Sequence, residues 1–307
     1  MRTSFLILFS LTLFTFNFVS CDKVAYPYII KTNLDTTLYP GNFRDYDFPT
    51  FESNPNTLRN ALIEDYTGHR CTYCPNAAIV AHDIEEANPG RAFVASIHAG
   101  SSANGVTSFQ EVLLPDYPTN FMNDQGLDMG ATFFQEEVGF AANPMGNINR
   151  FKMDALATDN FFYTAGNWTR ITDSVLTTTL DVNITAKSSY FEESHGMFLH
   201  TNIEFLNNLE GTYNVVVYAI ENERYAPQLD NGEYIPAYKH HNIHIGNLYD
   251  ETWGRLVSSG STAAGTAIRN DFSYKLPETL SKENMHFLIM VINRETYEVI
   301  QVIKHEL

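Results

Sequence analysis

Cys71 and Cys74 stand two residues apart in EDYTGHRCTYCPNAA (64–78), and the whole chain has three cysteines. A CxxC pair supports three chemistries: it can exchange a disulfide with a partner, supply half of a tetrahedral zinc site, or staple a turn. The residues after it read as a helix. Ala77, Ala78, Val80, Ala81, Ile84 and Ala87 suit a buried face, and Asn-Pro-Gly closes the run. Cys71 is therefore expected at a helix N-terminus, where unpaired N–H groups and the helix dipole favour a thiolate. That makes Cys71 the expected exposed nucleophile and Cys74, one turn on, the more buried resolving thiol. Pro75 falls in the first turn, where a missing N–H forfeits no bond. Asp65, six residues before Cys71, lies on the segment feeding the helix. Zinc would need His69 or His82 as further ligands, and no second CxxC exists.

A second group of chemistry-bearing residues lies in KHHNIH. On a strand it places His240, Asn242 and His244 on one face and His241 on the other. With His195 or His200 these could ligate a metal, but such histidines more commonly bond across strands, and no metal is expected. DYDFPTFE and QLDNGEY lack the alternating oxygen spacing of a calcium loop and read as turns. There is no G-x-S-x-G, H-E-x-x-H or P-loop, so no hydrolase, nucleotide or cofactor site is expected.

The elements that must position these residues follow from pattern. RNALIEDYTGH is an apolar run fit for a buried strand, and RAFVASIHAG is another. Strand, helix and strand in succession predict a βαβ unit with a right-handed crossover. Residues 101–140 read as a helical insertion broken by Pro115, Pro118 and glycines, and ANPMGNINRF follows as a short apolar segment. From about residue 170 the chain turns strand-like, in TTTLDVNITAKSSY, GMFLHTNIEFL, TYNVVVYAIE, YKHHNIHIGN and MHFLIMVINRETYEVIQVIKHEL. That pattern predicts an antiparallel β-sandwich. The expected organisation is a lead-in at 21–56 holding tether and an added strand, an α/β domain at 57–165, and a β-sandwich at 166–307.

With 307 residues, 44% hydrophobic, the chain can bury one large core or two ordinary ones. Its 17 Tyr and 22 Phe suit β-rich cores. A formal charge of −17, from 36 acidic and 19 basic side chains, excludes nucleic acid as a partner, since a run of phosphates could not be neutralised. Residues 1–20 carry Arg2 and then an apolar run from Phe5 to Val19 interrupted by Ser10, Thr12, Thr15 and Asn17. This is short for a spanning helix and right for a signal peptide. The run ends in FVSC, which is similar to a bacterial lipobox, although Phe18 stands where Leu is usual. The lipobox resemblance implies that Cys21 is acylated and becomes the anchor. Cys71 and Cys74 are then left as a matched pair, as an oxidising envelope favours. The closing KHEL resembles an endoplasmic-reticulum retrieval signal, and NWT and NIT resemble glycosylation acceptors, but that reading leaves Cys21 without a role.

The stretch around the cysteines resembles the thioredoxin superfamily. That resemblance implies that Asp65 assists proton transfer at Cys74, and that Pro144, in ANPMGNINR, is a cis-proline opening a later strand and shaping the peptide-binding surface. The dipeptide Thr72-Tyr73 and the preceding Arg70 depart from the usual pattern, leaving redox potential and partner choice open. LIEDYTGHRCTYCPNAA, NPMGNINR, HHNIH and FLIMVINRETYEVIQV together resemble the outer-membrane protein twenty-eight family of Bacteroidetes lipoproteins. The resemblance spans most of the mature chain and implies a lipid-anchored outer-membrane protein with a thioredoxin-like part and a C-terminal β domain. Envelope proteins or peptides are its expected partners. Thiol–disulfide exchange is the expected activity, with a non-catalytic binding or assembly lipoprotein as the rival.

Overall fold

The computed structural model describes residues 33–153 and 160–307, and residues 33–307 group as one unit. The expected signal peptide and Cys21 lie outside the described residues. The architecture is mostly β, with two sheets and three α-helices among the described residues.

The expected βαβ unit is present. Strand β1 (Ala61–Tyr66) leads into helix α1 (Cys74–Ala87) and returns as β2 (Ala92–Ile97), which pairs with β1 in parallel. Every residue of β1 is buried, including Glu64 and Asp65, as in a strand covered on both faces. Strand β3 (Met145–Ile148) pairs antiparallel on the other side of β1, opposing Gly146 to Asp65. The Asn143–Pro144 bond just before β3 is cis, as expected, and Leu114–Pro115 is cis as well. Helix α3 (Trp168–Leu176) packs beside α1 on one face of these strands through Trp168, Ile171 and Val175 against Ala77, Ala81 and Ile84.

The insertion at 101–140 is less helical than expected. Its helix, α2 (Asp124–Gln135), is preceded by turns and a bridge between Leu113 and Tyr117. Pro115 and Pro118 remove two backbone donors in the segment where a further helix would run. Asn123 caps α2 by accepting from Gly126 N at 2.9 Å.

The expected separation into domains at 165/166 does not divide the main sheet. β6 (Thr212–Asp230), β7 (Glu233–Asn247), β10 (Met285–Asn293) and β11 (Val299–Glu306) extend the first three strands into one sheet of order β11-β10-β6-β7-β2-β1-β3. The join is a parallel pairing of Ser96 on β2 with Ile243 on β7. A further strand, β8 (Arg255–Ser259), pairs with β6. The second sheet is β4 (Val182–Phe191), β5 (Gly196–Phe205) and β9 (Ala267–Lys275), in the order β4-β5-β9. It faces one end of the main sheet across a shared apolar cluster that joins Val182, Leu199, Ile203 and Phe272 to Val215, Val217, Phe287 and Ile289.

The described part of the lead-in, 33–56, holds two short 3-10 turns and no strand, so no added strand lies in those residues. Its aromatic residues show what holds it. Tyr39, Phe43, Tyr46 and Phe48 pack on Phe191 and Phe198 of the second sheet, so the segment is held by side chains rather than by a ladder.

Candidate functional site

Helix α1 starts at Cys74, not at Cys71 as expected, with Tyr73 as its cap residue and Pro75 in the first turn. Cys71 lies in the preceding tight turn, which is closed by Cys71 N donating to Gly68 O at 3.0 Å and Cys74 N to Cys71 O at 3.3 Å. The two cysteines form a disulfide with Cα atoms 5.4 Å apart. Gly68 is required in this turn, because a Cβ there would lie 2.6 Å from Phe109 O.

The expected exposure of Cys71 is not found. Cys71 is 2% and Cys74 1% exposed. The tip of the β6–β7 hairpin, whose residues follow the cysteines by more than 150 positions, lies against this turn. Leu229 N donates to His69 O at 2.9 Å and Asn231 N to Thr72 O at 2.8 Å. Gly232 N donates to Thr72 Oγ1 at 2.6 Å, and Gln228 Nε2 to Cys71 O at 3.1 Å.

Asp65 is 1% exposed, and neither of its carboxylate oxygens meets a hydrogen-bond partner. Burial without a counter-charge pushes its pKa up from 3.8 to about 7. Asp65 and Cys74 both line a cavity of about 270 Å³ between α1 and the β7 arm. Pro75, Ala78 and Ile79 form its helix side, and His98, Gln228 and His240 supply polar groups opposite. Both ring nitrogens of His98 and Nε2 of His240 are also without partners. Burial lowers the pKa of His98 well below its ordinary value and that of His240 to about 4, so both rings are neutral near pH 7. The ring of Phe121 stacks on His98 at 4.4 Å and lies 4.5 Å from His240.

Pro144 immediately precedes β3, and the preceding Asn143 ties the ends of β1 and β2 together. Its Nδ2 donates to Tyr66 O at 2.8 Å and to Ala99 O at 2.9 Å. The histidines weighed as possible metal ligands do not converge. Asn242 adopts φ 51°, a left-handed conformation inside the strand, while the pairing with β6 keeps one register from His240 to His244. His240 lines the cavity, whereas His244 packs on Tyr218 and its Nε2 bonds Asn247 Oδ1 at 2.8 Å. His195 pairs with Tyr190 and His200 with Asp271, both on the second sheet. Among the described residues no group of three or more His, Cys, Asp or Glu is placed to hold a metal ion.

Sequence reasoning missed His98 and Gln228. His98 carried one usable signal, since it is a titratable residue at the carboxyl end of a parallel strand, where α/β ligand sites gather. Gln228 carried none, because its role depends on where a distant hairpin lands.

No curated protein matches the chain. Among solved structures, HBP35 of Porphyromonas gingivalis shares the fold at a TM-score of 0.59 and 15% identity, over 83% of this chain and 77% of that one. A domain of the outer membrane lipoprotein Omp28 from Porphyromonas gingivalis aligns at 15% identity with 41% of this chain and 88% of its own length, at a TM-score of 0.27. Residues 131–307, more than half of the chain, match the family Outer membrane protein Omp28. The chain therefore belongs to the Omp28 family of outer membrane lipoproteins, in agreement with a lipid-anchored place at the outer membrane.

Proposed function

We propose that residues 57–165 form a thioredoxin-like unit whose Cys71–Cys74 pair exchanges disulfides with envelope proteins or peptides, and that Cys21 carries the lipid anchor. The observation that carries the exchange reading is Asp65, a buried carboxyl without a partner that lines the same cavity as Cys74. The β1-α1-β2 order, the CxxC leading into α1 and the antiparallel β3 just after Pro144 support the same reading.

In the reduced protein the Cys71 thiolate attacks a partner disulfide. A mixed disulfide forms, and one partner sulfur leaves as a thiolate. Cys74 then gives its proton to the Asp65 carboxylate and attacks the Cys71 sulfur, which closes the Cys71–Cys74 bond and releases the second partner thiolate. A carboxyl with a pKa of about 7 suits proton acceptance near neutral pH. Pro144 borders the surface that the partner chain meets.

Replacing Cys74 with Ser tests this. In its own envelope that variant should accumulate protein adducts released by reducing agent, and Cys71→Ser should accumulate far fewer. If neither variant traps a partner, the pair is a staple. Burial of Cys71 beside the hairpin tip favours this second reading, in which the protein is a binding or assembly lipoprotein and the disulfide holds the tip's docking site.

A further inference from the structure

The β6–β7 hairpin is longer than the sheet needs. β6 pairs with β10 only as far as Glu221, yet it runs on to Asp230 and returns through β7 from Glu233. The projecting arm turns at Asn231 and Gly232, both with positive φ (47° and 88°), as a two-residue hairpin turn demands. Residues 227–242 contribute nothing to the apolar clusters among the described residues, where the arm is represented by Ala226. Tyr225 and Tyr234 on the arm are 63% and 46% exposed. The register shifts between Ala226 and Gln228, so the tip is set off from the arm's base by an irregularity in pairing.

Hydrogen bonds hold the tip down, two of them from its backbone N–H groups. Leu229 and Asn231, two residues apart, donate backbone N–H groups to the carbonyls of His69 and Thr72. Gln228 Nε2 adds bonds to Cys71 O at 3.1 Å and Gly68 O at 3.4 Å. Asn76 Nδ2 reaches Asn231 Oδ1 at 3.3 Å. The row of carbonyls that borders the disulfide is thus filled from the hairpin tip of the same chain, by two backbone N–H groups and the Gln228 side chain.

We propose that this hairpin tip is a built-in cap, holding the carbonyl row at residues 68–72 where an extended polypeptide partner would donate its own backbone N–H groups, so that the tip must lift before the disulfide is engaged. The identity of the partner as polypeptide rests on the exchange reading above, whereas the capping does not. A segment tethered by hydrogen bonds with little apolar burial opens more readily than the core strands around it.

The test uses the mature chain. Reduction of Cys71–Cys74 by a small phosphine, read as thiols alkylated over time, reports how often the disulfide is uncovered. Gln228→Leu removes the side-chain bonds, and Leu229→Pro removes the N–H that donates to His69. Together they should raise the reduction rate by about tenfold, the effect of shifting an opening equilibrium by one or two hydrogen bonds. Hydrogen exchange of the unaltered protein supplies a reading free of mutation: the amides of Leu229, Asn231 and Gly232 should exchange far faster than those of β10. Unchanged reduction in the double variant, or tip amides as protected as β10, overturns the cap. Partner trapping separates the two ideas. If Cys74→Ser traps nothing even with the tip loosened, while phosphine reduction is accelerated, the exchange reading fails and the cap stands.

Discussion

Glu64 and Asp65 are neighbours on β1, both buried, and they meet opposite fates on the two faces of the sheet. Glu64 receives Arg150 through two bonds, from Nη2 at 2.7 Å and Nε at 2.9 Å, and also Tyr218 OH at 2.7 Å and Asn147 Nδ2 at 2.9 Å. Asp65, turned to the α1 side, receives nothing. Burial would raise the pKa of Glu64, but the charge and hydrogen bonds of Arg150 with those of Tyr218 and Asn147 hold it below its ordinary value. For Asp65 burial acts alone. One carboxyl is spent on holding β1, the β3 turn and β6 together, while the other faces the cavity beside Cys74.

Asp65 should make the protein less stable as pH rises. Its folded pKa, about 7, lies above the ordinary 3.8, so the folded state keeps a proton that the unfolded chain loses between these values. Stability from this group falls from about pH 4 to about pH 7, by about 4 kcal/mol at most. His69 and His240, lowered to about 4 by burial, work in the opposite sense, since the unfolded chain takes up their protons as pH falls below 6.5. The difference between Asp65→Asn and the parent isolates the carboxyl. Urea unfolding should show the variant's advantage over the parent growing by about 2–3 kcal/mol between pH 5 and pH 8; an equal difference at both would sink the assignment.

Arg150→Met should cost about 3–5 kcal/mol, because it leaves the Glu64 carboxylate buried without its charge partner. Glu64→Leu combined with Arg150→Met should recover part of that loss, since both charges are then gone. Denaturant midpoints of the single and double variants decide the point, and a double variant no better than Arg150→Met alone would contradict it.

Gly146→Ala tests how closely β3 approaches its neighbours. A Cβ at Gly146 would lie 2.5 Å from Glu64 O and 2.6 Å from the indole of Trp168. Neither a strand backbone nor a buried ring can yield cheaply, so a loss of about 2–3 kcal/mol is expected. Thermal unfolding within a degree of the parent would rule out so close a contact.

Cys21→Ala should release the protein from the membrane or leave it with its leader attached. Fractionation and mass spectrometry of the mature N-terminus check this. A mature protein whose first residue is unmodified and is not Cys21 disproves the anchor.

Local pattern and family resemblance carried much of this protein. Apolar runs around Leu62 and Val94 and the alanine face of α1 predicted the βαβ unit, because buried parallel strands and a packed helix must show those periods. Asn231-Gly232 marked a turn, because few other residues accept positive φ at both positions. The paired cysteines, Asp65 and Pro144 could be named from spacing and resemblance. What could not be read was everything decided by contacts distant in sequence. The pairing of Ser96 with Ile243 merges what looked like two domains into one sheet. The left-handed Asn242 parts His240 from His244. The hairpin tip lies against the Cys71 turn, where a free helix terminus was expected. Each depends on which strand lies next to which, and periodicity within a segment is silent on that choice, since the same alternation satisfies many partners. The burial that sets Asp65's proton affinity and hides the disulfide follows from that tertiary choice.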